Sequence, residues 1–433
     1  MKYCFLTFFI FLFLSCGDDN TPDDNTPEEN ISSNLPNILL IIADDMGKDA
    51  TNGFSEGSIK PNTPNLDELK NAGVSFNNFW AYPTCSPTRA SIITGKYGYR
   101  TNVKTANDEL SQSEKILQKY ISEETNNTYS TAIIGKWHLS GENSTVNPES
   151  LGMDYYAGLI RGGVQDYYSW QLTEGGSSSM ETQYITEALT DLSKDWINNQ
   201  TKPWFLWLAY NAPHTPFHVP PSEMHSQGNL PAYENGSDPM PYYMAAIEAL
   251  DYQVGKLLRE YMTIDELNNT IIIFMGDNGT PNQVAQSPYE DNKAKGSLYQ
   301  GGINVPLFVS GKQVVRRGED NNLITSTDLF STIANLAGIE DTEIHDSKSF
   351  KSLFDNESTH REFQYSEKDD GTNGLWTISN GEYKLIVNAN GQEEMYDLGN
   401  DPYENINLLE GILTSTQVNA KAVLEQELTI IRN

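Results

Sequence analysis

The chain has 433 residues, with 59 acidic and 28 basic side chains and a formal net charge of −31. Its length suits two or three domains, and 38% hydrophobic with 11% aromatic residues suffice for a large core, which excludes wholesale disorder. The acidic excess excludes a nucleic-acid binder, which needs basic patches, but not an anionic substrate held by a few fixed cations.

Three cysteines, Cys4, Cys16 and Cys85, are too few for a disulfide framework or a cysteine zinc cluster. Lys2 precedes an apolar run from Tyr3 to Leu14. At about 12 residues this has the length of a signal-peptide apolar region and is short for a bilayer span. The run ends Phe13-Leu14-Ser15-Cys16-Gly17, which resembles the lipobox of bacterial lipoproteins. That resemblance implies a signal peptide over residues 1–15 and acylation of Cys16, with more than one acyl chain giving a stable anchor. Residues 16–33 then form an acidic, proline-broken tether that cannot bury apolar surface. Its Asp18-Asp19 pair resembles surface-export signals of Gram-negative lipoproteins. The implied location is a lipid anchor in the outer membrane, on the cell surface or the periplasmic face.

Along the body, apolar runs too short for helices predict buried strands at Asn37–Ala43, Tyr129–Ile134, Trp204–Tyr210, Thr270–Met275 and Val305–Val309. Helical periodicity lies between them at Asn65–Ala72, Glu181–Asn198, Tyr242–Tyr261 and Ser326–Leu336. Such alternation predicts an α/β fold, a mostly parallel sheet flanked by helices, over residues 34–344. From 345 to 433 the texture changes. A hairpin pattern over Gly374–Asn388, a strand at Glu393–Leu398 and a final helix predict a small C-terminal α+β subdomain.

The reactive residues fall where the strands end. Asp44-Asp45 follows the first strand, Gly135-Lys136-Trp137-His138 the second, Asn211-Ala212-Pro213-His214 the third and Gly276-Asp277-Asn278-Gly279 the fourth. In open α/β sheets ligands bind beyond the carboxyl ends of the strands, so four segments converge on one site. Between them lies Thr84-Cys85-Ser86-Pro87-Thr88-Arg89. Pro87 suits a first helical turn and Ser86 can cap it, which places Cys85 at a helix N-terminus where free N–H groups favour an anion. Arg89 lies one turn further on the same face.

Cys85-Ser-Pro-Thr-Arg followed by Ala-Ser-Ile-Ile-Thr-Gly closely resembles the signature of type I sulfatases, of the alkaline-phosphatase-like superfamily, in which that cysteine is oxidised to formylglycine. The resemblance runs from about Asn37 to Asn407. It takes in Asp44-Asp45, Gly-Lys-Trp-His, Pro-His, Asp277-Asn278-Gly279, Lys295-Gly296-Ser297, Gly301-Gly302, Tyr383-Lys384-Leu385 and Met395-Tyr396-Asp397-Leu398. Lys96 and Gln300 depart from the family's usual Arg and Glu.

Asp44, Asp45, Asp277 and Asn278 offer oxygen ligands, which suits Ca²⁺ first and Mg²⁺ second, and the resemblance implies calcium with oxidised Cys85 as a further ligand. It also implies that the hydrated aldehyde of Cys85 attacks sulfur while Arg89 and Lys136 stabilise charge. His214 and Lys295 match the positions that protonate the leaving alcohol and bind sulfate; His138 matches the base that expels sulfate. Lys293 competes with Lys295, which Gly296-Ser297 favours. His218, four residues past His214, and Arg161 in Leu-Ile-Arg-Gly-Gly are substrate-binding candidates. Tyr167, Tyr168 and Trp170 suit sugar stacking or core packing; His225, His345 and His360 read as surface or packing residues.

The sequence thus reads as a sulfate ester hydrolase acting on a sulfated polysaccharide or oligosaccharide, marine algal glycans such as ulvan included. It would be matured by a formylglycine-generating or radical sulfatase-maturating enzyme. Two alternatives are a phosphonate monoester or phosphodiester hydrolase, which a His in the metal set would favour, and an inactive surface glycan-binding lipoprotein.

Overall fold

The strand over Asn37–Ala43 (β1) is buried along its whole length because both of its faces are covered. Ile38, Leu40 and Ile42 enter one core, Leu39, Ile41 and Ala43 the other. A continuous apolar run is what a strand with two buried faces requires. The structure is a computed structural model that describes residues 35–141, 146–289, 292–369 and 371–433. The expected signal peptide and tether, Cys16 included, lie outside the described residues.

The main sheet continues with β2 (Val74–Trp80), β3 (Ser130–Lys136), β4 (Tyr155–Leu159), β5 (Trp170–Glu174) and β6 (Ser177–Glu181). Then come β7 (Trp204–Ala209), β8 (Thr270–Gly276), β9 (Leu307–Gly311) and β10 (Gly318–Thr325). Their order is β10-β2-β9-β8-β1-β7-β3-β4-β5-β6. The central β8, β1, β7, β3 and β4 run parallel, while β9 and the β5–β6 hairpin pair antiparallel at either side. The helices are α1 (Pro64–Asn71), α2 (Cys85–Thr94), α3 (Gly98–Thr101), α4 (Leu117–Glu124) and α5 (Ile185–Asn198). They continue with α6 (Met240–Lys256), α7 (Ile264–Asn268), α8 (Gln300–Ile303), α9 (Leu329–Leu336) and α10 (Ser415–Arg432). Apolar residues of α2, α4 and α9 cover one face of the sheet, and those of α1, α5 and α6 cover the other.

The expected α/β sheet is therefore present, with differences that have local causes. The strand expected to stop at Ile134 continues to Lys136, because Gly135 and Lys136 stay in register with Gly158 and Leu159 of β4. The strand expected at Val305–Val309 begins at Leu307 and is antiparallel to β8. The helix expected from Glu181 begins at Ile185, since Ser177–Glu181 pairs with Trp170–Glu174 instead. The helix expected to reach Tyr261 ends at Lys256 and continues as one π turn. That expected from Ser326 opens with a 3-10 turn under a Thr325/Asp328 capping box.

After a two-stranded ribbon, β11 (Glu343–Ile344) and β12 (Ser347–Lys348), the C-terminal subdomain forms. It is an antiparallel sheet of β13 (Gln364–Lys368), β14 (Leu375–Ser379), β15 (Tyr383–Asn388) and β16 (Glu393–Asp397), covered by α10. Its core of Ile378, Leu385, Met395, Leu424 and Leu428 also takes in Tyr97 from the loop after α2.

A buried ion pair ties this sheet to the main body. Lys384 of β15 and Glu404 are 0% and 1% exposed and paired. The Lys384 ammonium also donates to Leu298 O at 2.6 Å and lies 4.9 Å from the centre of the Trp80 ring. Glu404 Oε2 accepts the Gln300 amide at 2.6 Å. Lys368 of β13 donates to Gly296 O at 3.0 Å, so the C-terminal sheet holds the loop from Lys295 to Gln300 at both ends.

Removing one member of such a pair strands a buried charge. Lys384→Met should destabilise the protein by about 3–5 kcal/mol, measured as the midpoint of denaturant unfolding. An unchanged midpoint would show that the pair does not stay dry in solution.

Candidate active site

The carboxyl ends of all five parallel strands meet on one side of the sheet. They deliver Asp44 and Asp45 (β1), Lys136 and His138 (β3), Arg161 (β4), His214 (β7), and Asp277 and Asn278 (β8). Helix α2 points its first turn into the same place. Thr84, in extended conformation, is its N-cap, and a left-handed Gly95 (φ 68°) ends it by donating to Ser91 O. Ser86 does not cap the helix as expected. It lies inside the first turn, and its hydroxyl donates to His138 O at 2.9 Å, fixing the β3 loop to α2.

Cys85 Sγ lies 3.4 Å from Asp44 Oδ1 and 4.0 Å from Asp45 Oδ1. Burial, and then the Asp44 charge, push its thiol well up, so the unmodified side chain is a poor source of thiolate. Each carboxylate has its own cation. Lys136 pairs with Asp44, Lys295 with Asp45, and Arg89 donates to Asp277 Oδ2 at 2.8 Å. Burial by itself would raise the Asp44 carboxyl, but Lys136, His214, Arg89 and Lys295 outweigh it and hold the group far down. Asp277 goes the other way, pushed up to about 7 by burial and by Asp44 beside it.

Arg89 also donates to Lys136 O at 2.8 Å. Arg89 and Lys136 are buried beneath the site, whereas Cys85, His138, His214, Lys295, Asn107 and Arg161 line a cavity of about 490 Å³. The two buried cations thus hold Asp44 and Asp277 in place from below.

The histidines have assigned tautomers. His214 Nδ1 lies 2.6 Å from Thr215 O, which can only accept, so Nδ1 carries a proton and Nε2 faces Asp45 Oδ2 at 3.7 Å. His138 Nε2 lies 2.9 Å from Asn107 Oδ1. With that bond donated, its buried Nδ1 is a free acceptor that has no hydrogen-bond partner among the described residues. Burial, then Lys136 and Arg89, hold the His138 imidazole well below its ordinary pKa, so it is a neutral base. Asp45, Asn107 and His138 all have positive φ (70°, 70° and 57°), an unusual conformation for residues with a side chain.

The donor set suits a hard divalent cation. The ligand atoms of Asp44, Asp45, Cys85 and His214 lie within 4.8 Å of one another. Asn278 donates to Asp45 Oδ1 at 2.8 Å, while its own Oδ1 is buried with no hydrogen-bond partner among the described residues. A buried, unpaired amide oxygen among three carboxylates has the chemistry of a donor to a hard divalent cation.

Of the remaining expected residues, Arg161 lies in the cavity wall. His218 does not line that cavity. It stacks on Tyr167 with centroids 3.6 Å apart, and its nitrogens are engaged by Tyr184 OH and Pro216 O, both at 3.0 Å. Lys293 points away, to Glu404 O, leaving the site to Lys295. His360 is buried against Asp328, and His345 is exposed. Tyr167 is buried, and its hydroxyl donates to Asn211 O and His214 O at 2.9 and 2.6 Å, so it holds the His214 loop. Sequence reasoning missed Asn107, which sits in a polar loop without a motif. It also missed Gly162, where an added Cβ would come within 2.2 Å of His138 Nε2.

Fold and site together define a class, and comparison with known proteins agrees with it. Residues 36–339 match the family model described as Sulfatase, and residues 293–433 match that for the C-terminal part of N-sulphoglucosamine sulphohydrolase. The chain belongs to the sulfatase family. It is 28% identical to the Escherichia coli K12 sulfatase YdeN over 362 residues, which covers 70% of this chain and 63% of that one. It is 28% identical to human N-acetylgalactosamine-6-sulfatase over 347 residues, covering 70% and 62%. The chain thus spans less than two thirds of the length of these relatives. The crystal structure of Ps i-CgsB in complex with k-i-k-neocarrahexaose superposes with a TM-score of 0.75 at 26% identity, covering 90% of this chain and 92% of that one.

A cation that binds only the folded protein stabilises it by mass action, by about 2.7 kcal/mol at a hundredfold excess over Kd. Calcium added to chelator-treated protein should therefore raise its Tm, and Asn278→Ala should shrink the rise at equal calcium. Equal shifts in both proteins would remove Asn278 from the ligand set.

Proposed function

We propose that this protein is a sulfuric ester hydrolase acting on sulfated polysaccharides or oligosaccharides. Its nucleophile would be formylglycine made from Cys85, with Ca²⁺, or Mg²⁺ as second choice, held by Asp44, Asp45, Asp277, Asn278 and the oxidised Cys85. The observation that carries this reading is Cys85 itself. It stands at a helix N-terminus, 3.4 Å from Asp44 Oδ1, and opens into a cavity that His138, His214 and Lys295 also line. The carbohydrate class is supported by the likeness to Ps i-CgsB, seen in complex with k-i-k-neocarrahexaose.

When bound, the cation supplies positive charge against the sulfate, and the formylglycine hydrate supplies one hydroxyl as nucleophile and a second through which sulfate leaves. The rest falls to this chain's own residues. The α2 N-terminus and Lys295 draw the anionic sulfate into the cavity. His214, oriented by the bond from Nδ1 to Thr215 O, presents Nε2 beside Asp45, and a proton passes from Nε2 to the sugar oxygen as it departs. Lys295, beside it on Asp45, keeps the sulfate in place. His138 then takes a proton on its unpartnered Nδ1, while Asn107 fixes its tautomer.

The acylated Cys16 would anchor the protein in the outer membrane, a reading supported by the lipobox resemblance. Oxidation of Cys85 would need a formylglycine-generating or radical maturating enzyme. Mass spectrometry of the Cys85 peptide, with hydrolysis of sulfated glycans, tests the whole. Cys85→Ser should keep the fold, since the side chain is nearly isosteric, and lose steady-state turnover, because serine has no aldehyde to regenerate. Near-normal turnover would sink the formylglycine mechanism.

Leaving-group dependence separates the two histidines. His214→Ala should slow sugar sulfates by about 10²–10⁴-fold and an activated aryl sulfate much less. His138→Ala should slow both towards one rate and accumulate sulfated enzyme, seen by intact mass. Equal losses for His214→Ala on both substrates would give the acid role to Lys295.

A second reading, hydrolysis of phosphonate monoesters or phosphodiesters, draws on the position of His214 among Asp44, Asp45 and Cys85. Restoration of chelated protein by Zn²⁺ alone, with a phosphodiester as the better substrate, would favour it.

A further inference from the structure

Helix-free wall space beyond the catalytic cavity opens a second cavity of about 560 Å³, and the two share Arg161 and Gly163 in their linings. Both volumes fall in the range of roughly 300–1,000 Å³ typical of ligand sites. The partition between them is the loop after β4, and it is set tightly against the catalytic histidines. A Cβ on Gly162 would meet His138 Nε2 at 2.2 Å, and one on Gly163 would lie 3.5 Å from His214 Cε1. Whatever occupies the catalytic cavity therefore lies against the same loop that borders the second.

The far wall is the β5–β6 hairpin. Its register sets Gln171 opposite Met180 and Thr173 opposite Ser178, and side chains of directly opposed residues share a face. All four line the second cavity, joined by Val164 from the partition loop. The wall thus offers an amide, hydroxyls and an exposed thioether (Met180, 63% exposed), with no charge among these side chains. Such a surface can hydrogen-bond sugar hydroxyls and cover the apolar face of a ring.

The charge lies at the junction. Arg161 is exposed and, among the described residues, makes no hydrogen bond or ion pair, in a chain whose net charge is −31. Arg89, Lys136 and Lys295, by contrast, are each paired with a carboxylate. A guanidinium left open between two cavities is an anion receptor, able to grip a carboxylate or sulfate with two parallel hydrogen bonds.

We propose that the substrate occupies both cavities. The sugar losing its sulfate sits over Cys85, and the neighbouring sugar lies in the second cavity against the β5–β6 hairpin. That neighbour carries its own anionic group, a sulfate ester or a uronate carboxylate, which Arg161 binds. The proposal rests on the sulfatase reading and adds to it that a charged second sugar is recognised.

The test compares 4-nitrophenyl sulfate, sulfated monosaccharides, and oligosaccharides of two kinds. Those from carrageenan bring a neighbouring sulfate, and those from chondroitin sulfate bring a neighbouring carboxylate. The quantity read is the ratio of kcat/KM for an oligosaccharide to that for the matching monosaccharide. Wild type should favour one oligosaccharide series, and the series favoured identifies the anion. Arg161→Gln should lower that ratio by roughly 10- to 100-fold, the size of a charge-assisted hydrogen bond. Ser178→Trp, which fills the second cavity from an exposed strand, should lower it as well. A wild type without preference for either series, or ratios unchanged in both variants, would overturn the proposal. So would losses for Arg161→Gln that are equal on every substrate. Calorimetric titration of Cys85→Ala protein with the same oligosaccharides reads the cavity without turnover, and weaker binding on adding Arg161→Gln is expected. If wild type hydrolyses neither 4-nitrophenyl sulfate nor any sulfated sugar, the sulfatase reading itself fails. The calorimetric arm alone then decides whether the second cavity binds a charged sugar.

Discussion

Three carboxylates, Asp44, Asp45 and Asp277, lie within a site where none is more than 1% exposed. Buried like charges repel and are poorly solvated, so such a cluster persists only where positive charge compensates it. Lys136, Lys295 and Arg89 each answer one carboxylate, and they come from β3, the loop before α8, and α2. The cluster therefore fastens together segments far apart in sequence. Two carboxylates with opposite shifts in one site, Asp44 held down and Asp277 pushed up, show how unevenly the compensation is shared. A divalent cation bound by Asp44, Asp45, Asp277 and Asn278 would even it out.

The distant parts of the fold serve that arrangement. The C-terminal sheet contains none of the reactive residues, yet through Lys384, Glu404 and Lys368 it fixes the loop that carries Lys295. Asp49 does the same from the other side. Its carboxylate accepts from Thr280 and Gln286, and Thr280 in turn accepts the Gly47 amide at 3.1 Å, so the loop after β1 and the loop after β8 are locked together. Positive φ is tolerated at Asp45 beside these bonds, and at Asn107 and His138 because Ser86 Oγ accepts the Asn107 amide at 3.3 Å and donates to His138 O at 2.9 Å.

The opposite side of the site is more open to solvent. The loop after β4 carries an exposed Arg161, and the hairpin beyond it is an edge with polar side chains turned to the cavity. A buried charged centre beside an open polar wall that carries one exposed arginine suits chemistry fixed by the core and selection made at the rim.

Much of this was legible in the sequence. Short apolar runs marked β1, β3, β7 and β8 but not the parallel β4, and the polar residues at their ends marked the site, because a strand buried on both faces has to be apolar and must stop where charge begins. Cys85-Ser-Pro-Thr-Arg gave the helix N-terminus and the family resemblance, and Asp44, Asp45, Asp277 and Asn278 were visible as a convergent set of oxygen donors. Other features depended on pairing partners remote in the chain. The β5–β6 hairpin, of which only Glu181 fell within an expected element, is set by pairing between its own strands and with β4. Ser86 bonds to His138 O rather than capping α2, and Arg89 and Lys136 lie beneath the cavity rather than in its wall. Nothing local distinguishes Asn107 from any loop asparagine, or Gly162 from any loop glycine. Their importance comes from the distance to His138, which only the packing of the β4 loop against β3 and α2 decides.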